Sequence, residues 1–186
     1  YDARGQLTDE VRTFGAFGAY TTTFTYDALG RVVTTTYPDG EVVVQTYDGG
    51  GMPHTLASSL GEVLVEDTLY SAAGQVTRMT LGNDLQTTYD YDARNLRLLG
   101  LQTTGPAGVL QDLAYTYDPV GNVLTITDGA NDDQVQLFRY DPLDRLTGAR
   151  TTGGGEGAYD RGYAYDATGN ITHKDGMGDY GYGQPT

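Results

Sequence analysis

The chain has 186 residues, with 25 Asp plus Glu against 11 Lys plus Arg and a formal net charge of −14. That balance argues against partners that need a basic face, so no nucleic acid is expected and no attraction to an anionic membrane surface. There is no cysteine for disulfides or thiolate metal sites, and no apolar run approaches the roughly 18 residues of a spanning helix, so no membrane insertion is expected.

From its first residue the chain repeats itself. A tyrosine followed by a four-residue element recurs at Tyr1, Tyr26, Tyr47, Tyr70, Tyr91, Tyr117, Tyr140 and Tyr165, at intervals of 21 to 26 residues. A period of this size marks a repeat architecture. In chain order the elements are Asp2 to Gly5, Asp27 to Gly30, Asp48 to Gly51 and Ser71 to Gly74, then Asp92 to Asn95, Asp118 to Gly121, Asp141 to Asp144 and Asp166 to Gly169. The first position is Asp or Ser, whose side chain can accept a hydrogen bond from the backbone two residues on. The second tolerates Pro119 and Pro142, as the second residue of a type I turn does. The fourth is Gly except at Asn95 and Asp144, the residue types that best tolerate positive φ. Together these positions predict a three-residue hairpin loop, a type I turn closed by a left-handed residue.

Such a loop places each tyrosine opposite an apolar residue: Tyr1 and Leu7, Tyr26 and Val32, Tyr70 and Val76, Tyr117 and Val123, Tyr140 and Leu146, Tyr165 and Ile171. Pro53 opposite Tyr47 and Arg97 opposite Tyr91 depart from the rule, so those two hairpins are expected to be the least regular. Aromatic residues two apart, as in Phe24 and Tyr26 or Tyr115 and Tyr117, share a strand face and form ladders suited to sheet packing. Between turns lie two strands and a second, variable connection: Pro38 to Gly40, Leu81 to Asp84, Gly105 to Gly108, Asp128 to Asp133 and Thr152 to Gly157. Uniform turns are therefore expected on one edge and irregular loops on the other.

Thr, Tyr and Gly dominate, and no window holds an apolar period near 3.6, so helices should be nearly absent. Two strands per repeat give about sixteen strands, and at about 4.8 Å per strand a flat sheet would be about 77 Å wide. Open sheets rarely exceed about ten strands without curling. The predicted fold is all-β, an antiparallel β-hairpin meander forming a curled single-layer sheet over residues 1–186, with about eight repeats. The chain opens inside a repeat without an initiator Met or signal peptide, and the expectation is a fragment of a longer protein whose neighbouring repeats continue the array.

Candidate chemistry is sparse. His54 and His173 are read as surface residues, and Ser58, Ser59 and Ser71 lie in no nucleophile elbow. The one local oxygen-rich cluster is Asp128, Asn131, Asp132 and Asp133, a weak candidate for a metal loop that lacks the spacing of an EF-hand. Asp27 with Arg31 and Asp141 with Arg145 face each other across turns as candidate surface ion pairs. Asn170 is formally a glycosylation acceptor. No cofactor and no catalytic residue is assigned, and an enzyme is not expected. The assigned residues are structural: Tyr1, Asp2, Gly5, Tyr26, Asp27, Gly30, Tyr47, Asp48, Gly51, Tyr70, Gly74, Tyr91, Asp92, Tyr117, Asp118, Gly121, Tyr140, Asp141, Tyr165, Asp166 and Gly169.

Tyr-Asp-x-x-Gly-x-apolar at this spacing resembles the YD repeat of bacterial RHS proteins, and it is similar to the teneurin shell and to the cocoon subunits of bacterial toxin complexes. The resemblance covers essentially the whole chain. It implies a sheet that spirals into a hollow shell around a C-terminal polypeptide, often a toxin, in a secreted or cell-surface protein. The partners it implies are neighbouring YD repeats and that enclosed polypeptide. The last copy, Tyr165 to Thr172 with Gly178 to Gly183 after it, looks like the array just before the RHS-associated core. That core carries the family's aspartyl self-cleavage site and lies outside this sequence, so no cleavage residue is carried over. The alternative is a cell-surface glycan-binding or adhesion module using aromatic ladders such as Tyr89, Tyr91, Tyr115 and Tyr117.

Overall fold

The computed structural model describes residues 1–153 and 157–183. The chain divides into two compact units, Tyr1–Thr88 and Tyr89–Thr186. Strands β1 (Asp9–Thr13), β2 (Ala19–Tyr26), β3 (Val32–Thr36), β4 (Val42–Tyr47), β5 (Pro53–Ser58), β6 (Val63–Tyr70) and β7 (Val76–Leu81) belong to the first unit, and the division after Thr88 falls within β8 (Gln86–Tyr91). The second holds β9 (Leu98–Gly105), β10 (Gly108–Tyr117), β11 (Val123–Asp128), β12 (Gln134–Tyr140), β13 (Leu146–Thr152), β14 (Asp160–Tyr165), β15 (Ile171–Lys174) and β16 (Gly178–Asp179). The helix among the described residues is a single 3₁₀ turn at Gly15–Phe17. Within each unit every strand pairs antiparallel with the next in chain order, giving the expected all-β meander.

This layer has almost no interior. Among the described residues Ala149 is the buried apolar side chain, accompanied by Ser58, Thr68 and Gln134, and no large side chain is fully buried. Strands before the turns alternate as period two requires. Phe24 and Tyr26 are half-buried while Thr25 is exposed, and Tyr115 and Tyr117 are half-buried while Thr116 is exposed. The exposed side carries threonine pairs instead, Thr46 to Thr55 and Thr116 to Thr125, each joined at 2.6 Å through their hydroxyls.

The turns form as their residues dictate. In the second repeat the Asp27 N–H donates to the Arg31 carbonyl at 2.9 Å and the Gly30 N–H to the Asp27 carbonyl at 3.1 Å. Gly30 sits at φ +82 and Asp144 at φ 60, in the left-handed region. Tyr26 faces Val32, Tyr70 faces Val76, Tyr117 faces Val123, Tyr140 faces Leu146 and Tyr165 faces Ile171.

Three expectations need correction. The Tyr47 hairpin is regular: Tyr47 faces Pro53, and Asp48 and Gly51 make the standard bonds at 2.9 and 3.0 Å. Proline fits because the Tyr47 turn is closed by Asp48 and Met52, so the missing Pro53 N–H is not used there. The Tyr91 turn is one residue longer than predicted. Asp92 N–H donates to the Arg97 carbonyl, and Leu96 rather than Asn95 takes positive φ, at 61. Leu98, not Arg97, offers the carbonyl that receives the next tyrosine hydroxyl, as Val32 does in the second repeat. The opposite edge is also less irregular than expected in the first unit. Tyr37 to Glu41, Ser58 to Glu62 and Leu81 to Leu85 close the same three-residue loop, with Gly40, Gly61 and Asp84 at positive φ. Gly154 and Gly155 of the Thr152 to Gly157 loop lie outside the described residues.

A further feature has no signature in the turn motif. In each regular hairpin the register slips by one just after the turn: Thr25 pairs Thr34 but Tyr26 pairs Val32, leaving Val33 extra. The same bulge leaves His54, Thr77, Leu124, Thr147 and Thr172 extra. A bulge bends its strand and increases its right-handed twist.

Candidate functional site

Within each unit the residues that recur are brought together along the turn edge, where one kind of contact holds the turn itself and two others tie it to its neighbours. The first lies within the turn. Asp27 Oδ1 accepts from the N–H groups of Leu29 and Arg31, both at 2.9 Å. Asp2, Asp48, Asp141 and Asp166 repeat this pair of bonds, Asp118 makes the corresponding bond to Asn122, and Ser71 does both through its hydroxyl at 3.2 Å. These donors hold the carboxyls of Asp2, Asp27, Asp118, Asp141 and Asp166 below the usual range. The Arg31 N–H does so for Asp27 and the Gln6 N–H for Asp2. At Asp118 and Asp141 partial desolvation pulls upward, and the bonds from Asn122 and Arg145 outweigh it. Asp166 is held lowest, at about 2, by the Asn170 amide and then the Thr168 hydroxyl.

The second contact runs backward to the preceding repeat. The Tyr26 hydroxyl donates to the Leu7 carbonyl and the Tyr47 hydroxyl to the Val32 carbonyl, both at 2.7 Å. Tyr70 reaches Pro53, Tyr117 reaches Leu98, Tyr140 reaches Val123 and Tyr165 reaches Leu146, over 2.6 to 3.0 Å. Tyr182 makes the same bond to Ile171 at 2.9 Å. Among the acceptors, Val32, Pro53, Val123, Leu146 and Ile171 are each the residue facing the previous tyrosine. Nothing in the motif alone identifies that acceptor, because its position depends on how one hairpin lies against the next.

The third contact runs forward. Within each unit the side chain just after a turn lies over the next turn. Gln6 would meet a Cβ on Gly30 at 2.9 Å, Arg31 one on Gly51 at 3.2 Å and Arg97 one on Gly121 at 3.0 Å. The turn glycine thus has two reasons to lack a side chain, its φ and its neighbour. Where Asp144 replaces glycine, Asn122 donates to its carboxylate at 2.8 Å instead. Arg97 donates to the Asp118 carbonyl and Arg145 to the Asp166 carbonyl. The arginines also lie over the next tyrosine ring: Arg31 over Tyr47 at 4.0 Å, Arg145 over Tyr165 at 4.8 Å and Arg97 over Tyr117 at 5.6 Å. Cation–π contacts at exposed sites contribute about 0.5–1 kcal/mol. The ion pairs foreseen at Asp27 with Arg31 and Asp141 with Arg145 form at 2.7 Å and aim the guanidinium at that ring.

The remaining candidates stay apart from this edge. His54 is half-buried and bonds Asp67 at 2.9 Å, and Asp67 in turn bonds Arg78 at 2.9 Å. His173 lies between Asp175 and Asp179. Both are partly exposed, and each is engaged by carboxylates. The serines act locally: Ser58 Oγ donates to Glu41, Ser59 Oγ accepts from the Val42 N–H, and Ser71 holds a turn. In the acidic loop Asp132 and Asp133 take positive φ and Asp128 accepts from the Ala130 N–H. Among the described residues no three His, Asp or Glu side chains converge as metal ligands. The Asn170 amide is engaged by Asp166 and Thr168 at 2.9 Å.

Comparison with known proteins agrees with this geometry. Toxin subunit YenC2 of Yersinia entomophaga is 37% identical over 164 residues, covering 78% of this chain, and toxin subunit YenC1 of the same organism is 41% identical over 121 residues, covering 60%. The chain spans only 17% and 12% of the length of those relatives. A crystal structure of TcdB2-TccC3 superposes with a TM-score of 0.75 at 31% identity, over 89% of this chain and 10% of that one. The Photorhabdus luminescens Tc holotoxin pore gives 0.72 at 32%, over 87% of this chain and 9% of that one. The RHS Repeat family profile matches residues 1–42, 70–110 and 117–156, more than half of the sequence. With its tyrosine-and-aspartate hairpins linked in series, this chain belongs to the RHS repeat family.

Proposed function

We propose that this chain is a wall segment of an RHS-type shell in a secreted toxin-complex subunit, and that the whole protein encloses a C-terminal polypeptide. The observation that carries the reading is the two-way linkage of the turn edge. Tyr26, Asp27, Gly30 and their equivalents bond the turn itself, the repeat before and the repeat after, so the recurring residues are spent on continuity of the sheet. Its partners are then neighbouring repeats, the other subunits of the complex and the enclosed chain. The mechanism is steric: a continuous ladder denies proteases and solvent components access to what lies behind it, without chemistry of its own.

The YenC2 likeness and the TcdB2-TccC3 superposition support this reading. The glycan-platform alternative is weaker, because the tyrosine hydroxyls donate to backbone carbonyls and Tyr47, Tyr117 and Tyr165 each carry an arginine over the ring. Limited proteolysis of the full-length parent protein tests the proposal. The polypeptide C-terminal to the repeats should resist cleavage in the native protein. It should become cleavable when Tyr26, Tyr47 and Tyr70 are all changed to Phe. Equal cleavage of that polypeptide in native and freely unfolded protein would overturn the enclosure.

A further inference from the structure

The end of the second unit holds a cluster that the shell reading does not use. His173, on β15, has both ring nitrogens against carboxylates: Nδ1 is 2.6 Å from Asp179 Oδ1 on β16, and Nε2 is 3.1 Å from Asp175 Oδ1 in the connecting turn. A carboxylate oxygen can only accept, so each contact requires an N–H on the ring. A neutral imidazole carries one N–H and one lone pair. The observed geometry therefore matches the doubly protonated ring, and loss of one proton turns one arm from attraction into lone-pair repulsion.

What the arms hold is small enough to depend on them. Strand β16 is two residues long and pairs with β15 through His173 to Asp179 and Lys174 to Gly178. Its remaining ties are the Tyr180 N–H to the Thr172 carbonyl at 2.9 Å and the Tyr182 hydroxyl to Ile171. Asp175 is fixed on its far side, since Oδ2 accepts from the Gly162 N–H of β14 at 2.6 Å. The anchor therefore stays when the ring changes charge.

The other charged groups nearby are accounted for. On β14, Ala164 is the residue opposite His173, and Arg161 lies beside Gly176 of the turn and adds a positive field at Asp175. On the histidine's own strand, Lys174 turns toward the Tyr163 ring, 5.9 Å away. Among the described residues the carboxylates acting on the ring are Asp179 and Asp175.

We propose that His173, Asp175 and Asp179 form a proton-operated latch that fastens the closing strand β16 to the sheet when the imidazole is charged and loosens it when the imidazole is neutral. The Asp179 and Asp175 contacts raise the histidine above its ordinary value of 6.5. A raised histidine contributes its stabilisation fully below the unfolded value, and the contribution is lost as pH rises through the folded value. The latch is thus closed below the ordinary histidine value of 6.5 and loosens as pH rises through the raised folded value.

The test is an NMR titration of the 186-residue chain with amide exchange measured in parallel. The His173 ring resonances should titrate above those of a free histidine. The protection factor of the Tyr180 amide, corrected for intrinsic exchange, should fall with the same midpoint by about twofold to fivefold, the range of an exposed ion pair. In Asp179→Asn the pH dependence at Tyr180 should vanish, while Gly162, held by Asp175, keeps its protection. His173→Gln should give low Tyr180 protection at every pH. The proposal is overturned if Tyr180 protection is independent of pH while His173 titrates, or if Asp179→Asn leaves that dependence intact.

Discussion

At the scale of the residue, the repeated tyrosine does more than its cross-strand pairing predicts. Tyr117 faces Val123 within its own hairpin and donates its hydroxyl to Leu98 of the one before. Changing it to Phe keeps the apolar pairing and removes the link, at a cost of about 1 kcal/mol in urea denaturation with the strand signature in circular dichroism unchanged. Glycines divide into two kinds by what surrounds them. A Cβ on Gly169 would meet nothing within 4 Å, so Gly169→Ala should cost only the left-handed backbone penalty of about 1–2 kcal/mol. A Cβ on Gly82 would lie 1.6 Å from the Val63 carbonyl oxygen, and Gly82→Ala should cost at least about 3 kcal/mol or fail to fold. The turn carboxyls set the acid limit. Asp166 has its pKa lowered to about 2, below the ordinary carboxyl value of about 3.9. Its contribution is complete above the unfolded value and is lost as pH falls through the folded one. The urea midpoint should therefore drop between about pH 4 and pH 2, and less steeply in Asp166→Asn.

At the scale of the element, the hairpin is where reading the residues succeeds and where it slips by one. The Asp or Ser, the permitted Pro and the closing Gly are local requirements of φ and hydrogen bonding, so they can be read without neighbours. The Tyr91 turn misleads because Asn95 is an acceptable left-handed residue in the expected place. The structure instead puts Leu96 there at φ 61, while Arg97 reaches the Asp118 carbonyl and Leu98 receives the Tyr117 hydroxyl. The backbone strain at Leu96 predicts that Leu96→Gly raises stability by about 1 kcal/mol, measured as a higher urea midpoint with unchanged slope. The bulges at Val33, His54, Thr77, Leu124, Thr147 and Thr172 escape the sequence altogether, since the residues concerned share neither size nor polarity.

For the whole molecule, the decisive fact is that stability has no core to rest on. With Ala149 the buried apolar side chain among the described residues, it comes from neighbour-to-neighbour contacts repeated along the chain. Stability of such an array is a sum of repeat and interface terms. Tyr26→Phe and Tyr165→Phe involve no shared partner, so their costs should add within about 0.5 kcal/mol in the double variant. Two other repeat tyrosines, Tyr70 and Tyr140, bound the alkaline range. Burial raises the Tyr70 and Tyr140 phenols above their ordinary value of 10, with Asp48 and Asp118 contributing second. A raised phenol stabilises fully below the unfolded value and loses that contribution as pH rises through the folded one.

By itself the sequence determined the repeat, the turn type at most positions, the residues facing across most hairpins, the all-β class and the resemblance to RHS proteins. Each of these depends on contacts within a few residues, where residue type and spacing are sufficient. Only the tertiary structure decided which carbonyl receives each tyrosine hydroxyl, which side chain lies over each turn glycine, and that the first-unit loops on the far edge repeat the same turn. It also decided that His54 and His173 have carboxylate partners. Those contacts join one hairpin to the next, or a strand to one several residues away, and the register that aligns them is a property of the assembled sheet.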